Sequence, residues 1–184
     1  MDWFSLFKLL HVICAVIWVG GGFTLLVAAE IMRRKRGSRG MMAVVDAVAL
    51  LGPPLFVPVS ALTIVFGVFT AWFGVGFAEL WVLLGTLCFL ATFLDGLLMI
   101  KPRAEKMSAV IAAEGPDSPR LLPAADTLLK IARFDYVMLA LVIVDMVVKP
   151  SPGNVWLLAA MGVVLVVGAF LALGSALRAQ PVTA

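Results

Sequence analysis

Residues 8–22 read KLLHVICAVIWVGGG, and the fold class follows from what surrounds them. The segment lies inside an apolar run from Phe4 to Ile31. As a helix, at ~1.5 Å per residue, that run is about 40 Å long, enough to cross a bilayer with some tilt. It holds the only histidine in the chain. On a helix, His11, Ala15, Trp18 and Gly22 fall on one face, by steps of four, three and four. The imidazole therefore shares a face with an indole and with the glycines. A helix turned only to lipid has no reason to group its polar residue with its smallest ones. A helix that packs against something does.

Composition agrees. The chain has 184 residues, 63% of them hydrophobic, against ~45–50% in soluble domains. That excess places it in the membrane class, and its length suits a single domain. A net charge of +3 is too small to indicate a nucleic-acid partner. Cys14 and Cys88 both sit in apolar runs, without zinc spacing or a disulfide framework. A buried thiol is the expected role for Cys14, although its spacing of three from His11 leaves a shared site open. The first run exceeds a signal-peptide core of ~7–15 residues, and Arg33, Arg34, Lys35 and Arg36 follow at once, as in a stop-transfer signal. A retained helix is expected.

The remaining chain reads as four more spans. Five transmembrane helices are predicted, over about 4–31, 54–73, 79–100, 123–148 and 155–177. Between the first two, Arg33–Gly40 reads as a basic loop. Met41–Leu51 is too short to span and reads as an interfacial or kinked piece, because Gly52-Pro53-Pro54 breaks a helix. Ser60, Thr63, Gly67, Ala71 and Gly74 give the second helix a small-residue face, the kind that lets helix backbones approach in lipid. Lys101–Leu122 is the longest polar stretch, with turns at Gly115-Pro116 and Ser118-Pro119. The fold class is an all-α, polytopic bundle over residues 1–184.

Charge sets the expected orientation. Arg33, Arg34, Lys35, Arg36, Arg39, Lys101, Arg103, Lys106, Arg120, Lys130, Arg133 and Arg178 fall on one side of these spans, and only Lys8 and Lys149 on the other. The positive-inside rule then gives N-out/C-in. Trp3, Trp72, Trp81 and Trp156 all fall at outer helix ends, as an aromatic belt would. Trp18 sits deep. A bacterial cytoplasmic membrane is the expected location, with the lipid bilayer as the principal partner.

Ionisable groups inside a membrane are costly and so are functional candidates. His11, Asp95, Asp135 and Asp145 qualify. His11 is either a haem or metal ligand, or a hydrogen-bonding group that holds helices together. If the first and fourth helices touch, Asp145 is placed to accept from a His11 nitrogen, as carboxylates do behind metal-ligating histidines. Its other expected fate is an ion pair with Lys149, one turn on. Asp95 is expected to pair with Lys130 or Arg133, with a proton path as the alternative. Asp135 reads as interfacial, and Glu30 as the local partner of Arg33 and Arg34. No GxxxxGK[ST], HExxH or CxxC motif is present.

Leu9-Leu10-His11 through Trp18-Val19-Gly20-Gly21 resembles the opening of a group of bacterial membrane proteins. The group includes the HemJ-type protoporphyrinogen oxidases, the CopD copper-resistance membrane proteins and an uncharacterised family of predicted integral membrane proteins, which this chain is most similar to. The resemblance implies that His11 ligates haem b, as the first-helix histidine of the HemJ-type family does. It departs from that family at Gly85, four residues after Trp81, where a lysine is expected. The leading expectation is a small b-type haem-binding or electron-transfer protein. In it His11 is the axial ligand, and Trp18 with Gly20–Gly22 forms the porphyrin-facing surface. The sixth position is expected to be open, or filled by a methionine or by His11 of a second protomer in a homodimer. Two alternatives stand beside it: a non-enzymatic accessory or assembly subunit of a larger membrane complex, and a small transporter using Asp95 and Asp145.

Overall fold

The computed structural model describes residues 2–176, which form helices and turns with no strand among them. α1 (Trp3–Ala15) starts at Asp2, whose carboxylate accepts the Ser5 backbone N–H at 2.6 Å. A π turn, Val16–Gly20, leads into α2 (Gly21–Leu51). α2 continues past Ile31 because Glu30 pairs with Arg33 at 3.0 Å and with Arg34 at 2.6 Å, the i,i+3 and i,i+4 contacts that support a helix. The chain reverses at Gly37, with φ 59° and ψ −143°, a conformation that glycine tolerates. The expected basic loop is thus helical apart from one glycine hinge.

The prolines behave differently from expectation. Helix does not break at Gly52-Pro53-Pro54. A π turn, Gly52–Phe56, joins α2 to α3 (Val57–Thr70), so Met41–Leu51 is part of a continuous rod. Proline lacks an N–H and crowds the carbonyl four residues back, and the wider i→i+5 turn accommodates both defects. The second helix therefore begins near Arg39 and not near Pro54. A third rod follows: α4 (Leu80–Asp95), a π turn over Gly96–Ile100, and α5 (Lys101–Glu114). The long polar stretch is thus mostly helix. α6 (Leu121–Val148) and α7 (Val155–Ala176) complete the chain. Leu177, the expected end of the last helix, and Arg178 lie outside the described residues.

Four helical segments are long and apolar enough to cross a membrane: Trp3–Gly37, Arg39–Val75, Leu80–Glu114 and Val155–Ala172. α6 is of another kind. It carries Asp126, Lys130, Arg133, Asp135 and Asp145, and it buries Ile131, Met138, Leu139 and Asp145. It packs against α2, α4, α5 and α7, while α1 lies along α3. α6 is therefore the axis of the larger group, which is where a helix with many charges can stand in an apolar protein. α7, on the outside, exposes Trp156, Val166, Phe170 and Leu171.

The two ends differ chemically. Met41, Met42, Met107, Leu121, Ala125 and Leu129 form a compact core at one end, where α2, α5 and α6 meet. Cations gather beside it: Arg33 with Asp126 at 3.3 Å, Arg120 with Glu114 at 3.1 Å, Arg133 with Glu30 at 2.7 Å, and Arg39 with Asp117. Hydrogen bonding to the Arg39 guanidinium holds the Asp117 carboxyl below its ordinary value. At the other end Lys149 Nζ lies 5.1 Å from the centre of the Trp81 ring, and Trp3 and Trp72 are exposed. This is the partition of cations and tryptophans that the loop charges imply.

Candidate functional site

Two helix seams hold the polar groups singled out above. The first lies between α1 and α3, which run antiparallel. A β-carbon at Gly74 would run into the Phe4 ring, and one at Gly67 would lie 3.0 Å from His11 Cε1 and Nδ1. Between them Phe7 stacks on Phe69 at 4.7 Å and on Phe73 at 5.5 Å. The small-residue face of α3 is thus the bed in which α1 lies, with Thr63 and Ala71 buried in it. His11 Nδ1 is 2.7 Å from the carbonyl oxygen of Thr63. An oxygen of that kind only accepts, so Nδ1 carries the hydrogen and donates it. Nε2 is then the nitrogen with the lone pair. The Thr63 hydroxyl is engaged elsewhere, donating to the Val59 carbonyl at 2.8 Å.

The residues expected to share a surface with His11 go to other neighbours. Trp18 meets Phe89 of α4 edge-on, with ring centres 5.6 Å apart. A β-carbon at Gly21 would be 3.1 Å from the Phe56 ring, and one at Gly22 would collide with the Tyr136 hydroxyl of α6. The π turn between Ala15 and Gly21 is the physical reason. It takes an extra residue per turn and carries Gly22 roughly a quarter-turn off the His11 face. A heptad-like count along an unbroken helix cannot register that offset.

The second seam lies between α4 and α6. Asp145 is 2% exposed, and neither carboxylate oxygen has a hydrogen-bond partner among the described residues. Its Oδ2 approaches to 3.3 Å of the place a Gly85 β-carbon would take. It therefore points at α4, and the expected bond to His11 is not made. Nor is the expected pair with Lys149. That residue closes α6 in a left-handed conformation, φ 53°, and its ammonium goes to Trp81 instead. At the other end of the seam, Asp95 Oδ2 and Asp135 Oδ1 are buried without hydrogen-bond partners among the described residues. Asp135 is thus a member of the seam and not an interfacial residue. The pairing expected for Asp95 fails because Arg133 is committed to Glu30 and Lys130 makes no ion pair among the described residues.

Thr63 and Gly67 entered the sequence reading only as small-residue positions, Asp135 as an interfacial group, and Tyr136 not at all. The signal for the first two was the small-residue face, which marks a contact without naming the partner. No group of three or more His, Cys, Asp and Glu is placed to hold a metal ion among the described residues.

A family model described as "Predicted integral membrane protein (DUF2269)" matches residues 5–150. The chain belongs to this family. The DUF2269 match runs from α1 through the end of α6 and so contains both seams, leaving α7 beyond it. As a DUF2269 protein the chain is a multi-pass integral membrane protein in contact with the bilayer. No curated protein and no solved structure matches it.

Proposed function

We propose that the protein is a five-span, N-out/C-in bundle of the bacterial cytoplasmic membrane that binds b-type haem through His11 and takes part in electron transfer. The observation that supports haem ligation is the bond from His11 Nδ1 to the Thr63 carbonyl. Iron-ligating histidines bind through one nitrogen while the other donates to a carbonyl or carboxylate, which fixes the tautomer and makes the ligand more basic. Here that second bond is already in place, and Nε2 keeps the lone pair that would bind iron. Gly67 lets the ring lie against α3, and the phenylalanine stack around Phe7 borders it on the Trp3 side. Haem, when bound, supplies reversible one-electron chemistry at its iron. Trp18 and Gly22 face Phe89 and Tyr136, so the proposal rests on His11 alone. α6 supplies the fifth span. Its 28 residues reach ~42 Å at ~1.5 Å each, and Asp135 and Asp145 turn buried oxygens inward.

Titrating the detergent-purified protein with haem tests this reading. Wild-type protein is expected to shift and sharpen the Soret band to a one-to-one end point, and His11→Ala to leave the spectrum of free haem in micelles. Identical titrations from the two proteins would refute ligation by His11.

A further inference from the structure

The α4–α6 seam has an internal order. On α4, Gly85, Cys88, Thr92 and Asp95 follow by three, four and three residues and so share one face. Gly85 and Thr92 are buried there. On α6, Asp135 and Asp145 are ten residues apart, ~15 Å along the axis at ~1.5 Å per residue. Gly85 faces Asp145, while Ile100, just past Asp95, packs against the core that holds Leu128 and Leu129, just before Asp135. The helices are therefore antiparallel with carboxyl groups at two levels. Asp145 stands at the tryptophan-lined end, and the Asp95–Asp135 pair stands towards the basic end.

Among the described residues no cation pairs with Asp145 at the outer level. Lys149 lies over Trp81, Cys88 is the titratable residue one turn from Gly85 on α4, and α7, packed against α6, has no ionisable residue. At the inner level Arg133 is held by Glu30, Arg103 acts on Asp95 while donating to the Met99 carbonyl at 2.9 Å, and Tyr136 neighbours Asp135. A buried carboxylate with neither donor nor cation is costly, and more so in hydrocarbon. Such a group is stable only with a cation or a proton on it. A hard alkali or alkaline-earth cation needs about six oxygen ligands. Beside Asp145 at Gly85 the structure offers instead the Met146 thioether, whose methyl lies against Gly85. Thr92, the hydroxyl between the levels, already donates to the Phe89 carbonyl at 2.9 Å.

We propose that the α4–α6 seam is a proton path with two stations, Asp145 at the outer end and the Asp95–Asp135 pair at the inner end. At each station an O–H bond forms on uptake and breaks on release, with no redox change and no other reactant. This function is independent of haem at His11.

Two measurements on the full-length protein in liposomes test it. A hydrophobic carbodiimide, which takes a proton from a buried carboxyl group and is then attacked by its oxygen, is expected to modify Asp145 in wild-type protein at neutral pH, located by peptide mass. A potassium diffusion potential set with valinomycin is expected to drive proton entry, read by a trapped pH dye. Asp145→Asn should lower that flux at least tenfold, and Asp145→Glu should restore part of it. Flux should persist when choline replaces sodium outside. If Asp145→Asn fails to insert, the carbodiimide result and Asp135→Asn carry the test. Absence of modification, absence of flux above protein-free liposomes, a flux that Asp145→Asn and Asp135→Asn both leave unchanged, or a strict requirement for sodium would each overturn the proposal.

Discussion

Gly67→Ala is the sharpest test of how α1 and α3 fit. The added methyl would stand 3.0 Å from two atoms of the His11 ring, tighter than ordinary carbon contacts of ~3.5–4.0 Å. The ring cannot yield freely, because its Nδ1 is bonded to Thr63 at 2.7 Å. Overpacking of this kind costs ~1–3 kcal/mol. Displacing the ring also forfeits an interhelical hydrogen bond worth ~0.6–1.7 kcal/mol in a membrane. Alanine returns up to ~1 kcal/mol of helix propensity over glycine. The net expectation is a loss of ~1–3 kcal/mol, measured by reversible unfolding in mixed micelles. The decisive comparison is the same substitution in a His11→Ala background. There the obstructing ring is gone, so Gly67→Ala should be neutral or stabilising. An equal cost in both backgrounds would show that His11 is not what fills the space over Gly67.

Three further outcomes are expected. Single cysteines at Ser108, on α5, and Ser151, in the α6–α7 turn, should label from opposite sides of the membrane, and labelling from one side would end the five-span topology. Glu30→Gln and Arg133→Gln should show a coupling of about 0.2–1 kcal/mol in a double-mutant cycle, since Arg133 is 48% exposed and exposed pairs are screened; zero coupling would mean that the 2.7 Å contact adds nothing to docking α2 on α6. The third concerns acid. Asp117 is held below its ordinary value by Arg39, so its contribution is present above the unfolded carboxyl value of ~3.9 and is lost as pH falls through the folded one. Asp117→Asn should therefore flatten the stability profile on the acid side of that value, and an unchanged profile would exclude the pair as a contributor.

How much of this was legible in the chain depends on what each residue's pattern encodes. Apolar length marked the helical rods, and the sorting of arginine and tryptophan marked their two ends, because both are properties of single segments against a bilayer. The small-residue face of α3 was readable for the same reason. What was not readable were events that alter helix phase or choose partners. The π turn at Val16–Gly20 rotates Gly22 away from His11, and the one at Gly52–Phe56 carries helix through Pro53 and Pro54. Neither has a local signature strong enough to override a 3.6-residue count. Partner choice was hidden as well. Arg133 selected Glu30 over Asp95, and Lys149 selected Trp81 over Asp145. These choices depend on which rods lie side by side. Asp135 read as interfacial, yet its Oδ1 is buried in the α4–α6 seam, two residues after Arg133, which pairs with Glu30 of α2.

The reduced-minus-oxidised absorption spectrum of wild-type protein, purified from cells grown with ample haem precursor, tests the central claim most directly. A haem b bound at Nε2 of His11 predicts a Soret band in proportion to protein, a visible band that sharpens on reduction, and loss of both in His11→Ala protein that still inserts. Colourless wild-type protein from those cells, or a spectrum that survives His11→Ala unchanged, would contradict it.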